Sequence, residues 1–432
     1  MRLLLNTACL RGYGWVQNGW LAAILCMKEA MTRYQKSHKE GYKKTKMFRN
    51  IKPFAVKSLL LFIIIAAMLV AGGCTGLGTQ QAGWSGITAD DGKIYFGSTS
   101  GSMIALDAES GGELWRKPFT AAGSGGLGCS PSETGVPLYA TPVVDGELVY
   151  IAGYDGKIYA LNTSAGAERW IYPRQGNLHS FVGGPVLDQG KLYIGSVGGI
   201  IYALDAQTGD WIWEFETGEQ IWATPAINGD TLYIGTFDKK LYAIDTTTGG
   251  EKWQQPFEAG GPIISTPVVE DGVVYIGSFD RHIYALDANS GDLIWQSPAT
   301  EGNGENTPQK WFWAGQVVKN GVIYATNTDG RVYVIDTQDG SLITVIELGS
   351  AVSSTPVAAD DKIFIATEDG DLFYIDTNNN SKMSLPQLGG KVTAPLFAGE
   401  GVVYVHAIEN EIVYKLNAET GASLWNVPIS SE

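Results

Sequence analysis

From residue 83 onward, short apolar runs that each carry one aromatic side chain alternate with polar turns, and this unit itself recurs along the chain. One aromatic column reads Tyr95, Tyr150, Tyr193, Tyr233, Tyr275, Tyr324, Phe364 and Tyr404. A second column, Ile104, Tyr159, Tyr202, Tyr242, Tyr284, Tyr333, Phe373 and Tyr414, stands three residues before an Asp or Asn. That polar position falls at Asp107, Asn162, Asp205, Asp245, Asp287, Asp336, Asp376 and Asn417, at intervals of 55, 43, 40, 42, 49, 40 and 41 residues. The first column precedes it by 12 residues in seven repeats and by 13 in the eighth, so two middle strands and their hairpin are nearly fixed in length. Strand-rich units with a period near 40 predict propeller blades. The expected fold is all-β, an eight-bladed β-propeller of four-stranded antiparallel blades.

Four residues after each Asp or Asn stand Gly111, Gly166, Gly209, Gly249, Gly291, Gly340, Asn380 and Gly421. Asn is the one other residue that readily accepts a left-handed backbone, so the column predicts a tight turn with positive φ at this place. The Asp or Asn side chain closes the same turn by bonding the backbone two residues on. Eight residues after the Asp or Asn come Trp115, Trp170, Trp213, Trp253, Trp295 and Trp425, with Thr344 and Ser384 in repeats six and seven. An indole at one fixed place on an outer strand packs across the seam between blades, which makes these six docking residues and predicts weaker outer seams for repeats six and seven. Small residues and often proline open the repeats, as in Ala140-Thr141-Pro142, Gly183-Gly184-Pro185, Ala223-Thr224-Pro225, Ser265-Thr266-Pro267, Ser354-Thr355-Pro356 and Thr393-Ala394-Pro395. Proline cannot donate to a ladder, so this strand is the edge that lines a central channel. Repeat one starts near Gly83 and repeat eight ends near Val427, so the ring closes without exchanging a strand.

The chain is 432 residues long, beyond what one hydrophobic core fills, and repetition answers that demand. Charge then separates the chain into two parts. Residues 1–74 hold 12 of the 30 basic and 2 of the 45 acidic residues; the remainder has 18 basic against 43 acidic, a net charge of −25. A surface of that sign repels phosphate backbones, so no nucleic-acid partner is expected. Residues 58–70 form an apolar run that follows Arg49, Lys52 and Lys57 and leads into small residues, the order of a secretory signal. It is shorter than the ~20 residues of a spanning helix. A signal starting at Met47 has ordinary length, so residues 1–46 read as a doubtful extension with Met47 the real start, 47–73 as the signal, 74–82 as a tether and 83–432 as the propeller. Cys9, Cys26 and Cys74 belong to the leader, which leaves Cys129 as a loop thiol, free or paired between molecules, and no disulfide framework or zinc site.

Two segments carry a family resemblance. Asp-Ala-Gln-Thr-Gly-Asp-Trp-Ile-Trp at 205–213 and Asp-Ala-Asn-Ser-Gly-Asp-Leu-Ile-Trp at 287–295 resemble the Ala-x-Asp-x-x-x-Gly-x-x-x-Trp docking motif of pyrroloquinoline quinone (PQQ)-like repeats. The likeness covers residues 83–427. Its members include quinoprotein dehydrogenases and the non-catalytic lipoprotein BamB of outer-membrane assembly, and repeat count and leader favour the second kind. Ala71-Gly72-Gly73-Cys74 likewise resembles the bacterial lipobox, although Ala71 stands where that family usually has leucine. The resemblance implies lipidation of Cys74, an extracytoplasmic location and a membrane anchor through lipid. Thr75 in place of Asp implies no retention at an inner membrane.

Length varies almost wholly in the connection from one blade's outer strand to the next blade's inner strand, on the face shared with the middle hairpins. Insertions gathered on one face mark a binding face. The longest connections are 116–139, rich in Gly and Ser and read as mobile, 171–182 and 296–312. With the middle hairpins they offer Tyr154, Arg174, His179, Trp222, Phe237, Phe279, Arg281, His282, Trp311 and Trp313, residue types that include those dominating interaction hot spots. Trp311 and Trp313 either meet a partner or plug the channel mouth; His179 and His282 either contribute or are ordinary surface or hydrogen-bonded histidines. The sequence carries no phosphate loop, zinc cluster or triad signature, and acidic hairpins such as Asp369-Gly370-Asp371 lack calcium-loop spacing. It also lacks the inserted segments and adjacent cysteines of quinoprotein dehydrogenases. The expectation is therefore a scaffold with no catalytic residues, metal or cofactor, binding a protein partner at the cell envelope. A PQQ- and calcium-dependent oxidoreductase and a carbohydrate-binding propeller are the alternatives.

Overall fold

Eight antiparallel four-stranded sheets follow one another along the chain in a computed structural model that describes residues 83–122, 133–298, 304 and 306–429. The sheets span 87–118, 143–172, 186–216, 226–258, 268–297, 317–347, 357–384 and 397–428. In each the strands pair in chain order, so every blade is a meander from an inner first strand to an outer fourth, and no strand is exchanged. The innermost strand of each blade touches that of the next, and the last touches the first, which closes the ring. The fold is the eight-bladed β-propeller that the repeat predicts. The proposed leader, Met47, Cys74 and Cys129 lie outside the described residues.

Blade three shows why the sequence folds this way. Its strands are Val186–Asp188, Lys191–Gly195, Ile200–Asp205 and Trp211–Glu216. The two middle strands are apolar without alternation because both of their faces lie against neighbouring blades. Apolar side chains accordingly gather in eight clusters, one in each seam, with the closing cluster joining Phe96 and Leu106 to Tyr404 and Val413.

The turn and the indole form one device. Asp205 Oδ1 accepts the amides of Gln207 and Thr208 at 3.0 and 2.8 Å, and Gly209 follows with φ +70°. A Cβ on Gly209 would stand 2.5 Å from the Trp170 ring of the preceding blade, so the glycine meets two demands, a left-handed backbone and room for the indole. Trp170 Nε1 donates to the Ala206 carbonyl of that turn at 2.9 Å. All six tryptophans bond the corresponding carbonyl of the next blade, including Trp425, which reaches Ala108 of blade one at 3.4 Å.

Three details differ from the sequence pattern. Pairing of Phe397 with Tyr404 sets Pro395 one residue nearer the channel mouth than the other prolines, level with Thr355. Blade seven lacks the bulge that blades one, two, three, five, six and eight carry after the turn, so Met383, not Ser384, lies opposite Tyr374. Tyr374 itself supplies the missing ring from the third strand, 5.9 Å and 49° from Phe364, much as Trp213 lies 5.6 Å and 43° from Tyr193. The connection after blade one includes a two-stranded ribbon, Thr120–Ala122 against Glu133–Gly135.

Candidate binding face

In blades two to eight the middle hairpin bonds the connection that enters its own blade, as in Phe237 N to Gln220 O at 3.0 Å and Phe279 N to Pro262 O at 2.9 Å. Hairpins and variable connections therefore share one face, and the Asp-closed turns occupy the other.

Around the axis on this face runs a layer set by register, one residue per blade: Trp84, Tyr139, Val182, Trp222, Ile264, Trp313, Ser353 and Thr393. Two residues further in, Gly86, Thr141, Gly184, Thr224, Thr266, Gly315, Thr355 and Pro395 form a collar. Hydroxyls tie part of it together, with Gly184 N donating to Thr224 Oγ1 at 2.9 Å and Gly315 N to Thr355 Oγ1 at 3.3 Å. The channel between these layers has a volume of about 90 Å³, and among the described residues no charged side chain lines it.

Five of the residues expected on the face form a chain of ring contacts. Phe237 meets Trp222 at 4.9 Å, Trp222 meets Trp313 at 6.3 Å, Trp313 meets Phe279 at 5.7 Å, and Phe279 stacks on Trp311 at 5.0 Å and 15°. Trp313 lines the channel, while Trp311 lies outside it and is 51% exposed. Both border a hollow of about 800 Å³ over blades six to eight, together with Trp84, Lys310 and the ion pair of Lys391 with Glu368 at 2.9 Å. Tyr154 is exposed but belongs to a second group, 5.3 Å from Tyr139, which lies 4.2 Å from Trp84.

The cations are distributed differently from expectation. Arg281 is half-buried on the Phe279 hairpin. His282 is the hydrogen-bonded histidine of the readings open to it, buried just before the strand Ile283–Asp287 with Nδ1 3.3 Å from Asp280 Oδ1. Burial works against the Asp280 carboxylate, yet bonds from His282 and Tyr284 hold its pKa below the usual value. Arg174 reaches outward to Asp210 in the outer turn of blade three at 2.6 Å, away from the rings. His179 is exposed and packs over Gly198, where a Cβ would meet its ring at 2.1 Å. Sequence reasoning passed over Trp84, Tyr139, Lys239 and Lys310. For the first two the signal was present, since they share the register of Trp222 and Trp313. Among the described residues no group of three or more His, Cys, Asp or Glu side chains is placed to hold a metal ion.

A family described as outer membrane protein assembly factor BamB matches residues 75–220, 175–238 and 197–427 of the chain. A curated relative of that name from Shewanella oneidensis is 32% identical over 91 residues, which is 21% of this chain and 19% of the relative, so the match spans about a fifth of each. Among solved structures, the computationally designed Ika8 protein aligns over 79% of this chain and 98% of its own at TM-score 0.64 and 16% identity. BamB from Moraxella catarrhalis aligns over 76% and 92% at TM-score 0.60 and 19% identity. A europium-containing methanol dehydrogenase aligns over 78% and 82% at TM-score 0.57 and 14% identity. At such identities the three structures share a fold with this chain, which says nothing by itself of chemistry.

Proposed function

The chain belongs to the BamB family of outer membrane protein assembly factors, and from that membership we propose that it is a non-catalytic scaffold of the cell envelope that presents one propeller face to a protein partner. The observation that carries the reading is the run of rings from Phe237 to Trp311 on the variable face, with Trp311 half exposed. Aromatic side chains supply large contact area at little cost in conformational entropy, and they dominate interface hot spots. In this reading the protein is held at a membrane by lipid on Cys74 and works without a cofactor.

PQQ is a tricarboxylate bound with calcium, and among the described residues the channel lining around Thr224 and Thr266 offers it no charged side chain; the adjoining hollow has Lys310, Lys391 and Glu368, the last two paired with each other, so the quinone enzyme stays as the alternative reading.

A photoreactive amino acid placed at Trp311, and for comparison at Thr208 on the opposite face, tests the reading in cells. Crosslinks to a discrete protein from position 311 and not from 208 are expected. Equal capture from both positions, or none from 311, overturns it. Stoichiometric binding of PQQ with calcium, accompanied by dye reduction with an alcohol, overturns the non-catalytic part.

A further inference from the structure

One position in each middle hairpin adopts a left-handed backbone, and its occupants divide into three groups. In five blades it is glycine: Gly101, Gly156, Gly199, Gly330 and Gly370, with φ between +77° and +88°. A Cβ at any of the five would stand 2.0–3.0 Å from the backbone of the adjoining connection. In blade eight, whose hairpin is one residue longer, the occupant is Glu411 at φ +48°, and its carboxylate accepts the Thr99 amide of blade one across the closing seam. In blades four and five the occupants are Lys239 at φ +74° and Arg281 at φ +76°.

Long side chains in this region are strained, and such strain persists where something holds it and clusters at functional sites. Glu411 has its reason in the seam. Among the described residues neither the Lys239 ammonium nor the Arg281 guanidinium has a hydrogen-bonding or ionic partner. Carboxylates of the same hairpins are already engaged: Asp238 pairs with Lys240 at 2.8 Å, and Asp280 accepts the Tyr284 hydroxyl at 2.7 Å. Both cations stand two residues after Phe237 and Phe279, the hairpin members of the ring chain, and Lys310 precedes Trp311, its ammonium likewise without a partner among the described residues.

We propose that this patch reads an acidic protein segment that carries an aromatic or aliphatic anchor, with Trp311 receiving the anchor and Lys239 and Arg281 the carboxylates. The inference rests on the scaffold reading and specifies the partner's chemistry. Residues 75–432 carry −25, so an acidic segment is attracted only near cations, and Lys239, Arg281 and Lys310 each stand within two residues along the chain of a ring of the run.

Fluorescence anisotropy on the full chain decides it, with three peptides of equal length: acidic with a central Trp, acidic with Ala there, and basic with Trp. The first is expected to bind, and the other two about tenfold or more weaker. The double variant Lys239→Gly/Arg281→Gly restores the residue of five other blades, so it should melt at or above the wild-type temperature while losing about tenfold in affinity for the acidic Trp peptide. Undiminished binding by that variant, preference for the basic peptide, or no binding of the acidic Trp peptide overturns the proposal. If the basic peptide binds and Trp311→Ala abolishes it, the face reading survives with the opposite charge. If no peptide binds and chitohexaose does, in a Trp311-dependent way, both readings fall in favour of a glycan site.

Discussion

The seams between blades three and four and between blades six and seven solve one packing problem in two ways. In the first, Trp213 lies over Gly249, its Nε1 donates to the Thr246 carbonyl at 3.2 Å, and the Tyr193 hydroxyl donates to that same oxygen at 3.0 Å. Burial pushes the Tyr193 pKa up to about 12, which keeps the phenol a donor. In the second, Thr344 stands where the indole would be, Asn380 replaces the glycine at φ +57°, and the Tyr324 hydroxyl donates to Asn380 Oδ1 at 2.9 Å. The turn keeps its left-handed residue in both. What changes is the space above it, since a side chain can return only where the indole has gone, and Asn is the residue that accepts the backbone and supplies an acceptor.

The largest expected effect separates the two seams directly. Trp213→Ala removes a buried ring and should cost about 3–5 kcal/mol in denaturant unfolding, whereas Thr344→Ala at the equivalent place should cost less than about 1 kcal/mol. Similar losses in both would show that the indole is not what distinguishes them. Next in size is the turn residue. Gly249→Asn forces a Cβ to within 2.8 Å of Trp213 and should destabilise by roughly 1–3 kcal/mol. Asn380→Gly sacrifices only the bond from Tyr324, about 1 kcal/mol. Combining Thr344→Trp with Asn380→Gly should recover more stability than the two single changes predict together, by about 0.5–3 kcal/mol in a double-mutant cycle. Strict additivity would mean that the two substitutions are independent.

The smallest effect concerns the closing seam, which has the tryptophan device at its rim and a titratable group within. His406 occupies a position that is Gly195, Gly235 or Gly277 in other blades; its Nδ1 lies 3.1 Å from the Ser85 carbonyl of blade one, and its ring meets Phe96 at 5.0 Å. Burial holds its pKa below the ordinary histidine value, opposed by the Ser85 contact and by the Glu411 charge. The folded state therefore refuses a proton that the unfolded chain accepts. Stability is present above the ordinary histidine pKa, about 6.5, and is lost as pH falls below it, by up to roughly 1.4 kcal/mol per pH unit. His406→Gln should flatten the fall in melting temperature between about pH 6.5 and 5, while wild type and variant converge in slope above pH 7. An unchanged acid limb would assign the loss to carboxylates.

Much of this was legible beforehand because each repeated position answers a local demand. The Asp column closes a turn, the Gly or Asn column accepts positive φ, and the Trp column fills a seam, so period, strand order and channel edge follow from one blade's chemistry. Blade seven escaped that reading because its ring moved from the fourth strand to the third, a change visible only once the missing bulge places Tyr374 against Phe364. The candidate binding face was legible as residue types and not as an arrangement. Phe237, Phe279, Trp311 and Trp313 were recognisable as aromatics of that face, but of the four only Trp311 is exposed and the others are half-buried, and their union into one run depends on which hairpins the ring brings side by side.

By itself, then, the sequence determined the number of blades, the turn that closes each, and the face on which variation gathers, because these depend on residues close together in the chain. Only the tertiary structure decided that His282 turns inward, that Arg174 is spent on Asp210, and that Lys239 and Arg281, at glycine positions, stand unpaired among the described residues. Those outcomes depend on contacts between blades, where burial and charge are set by neighbours about forty residues away, a distance that no local pattern spans.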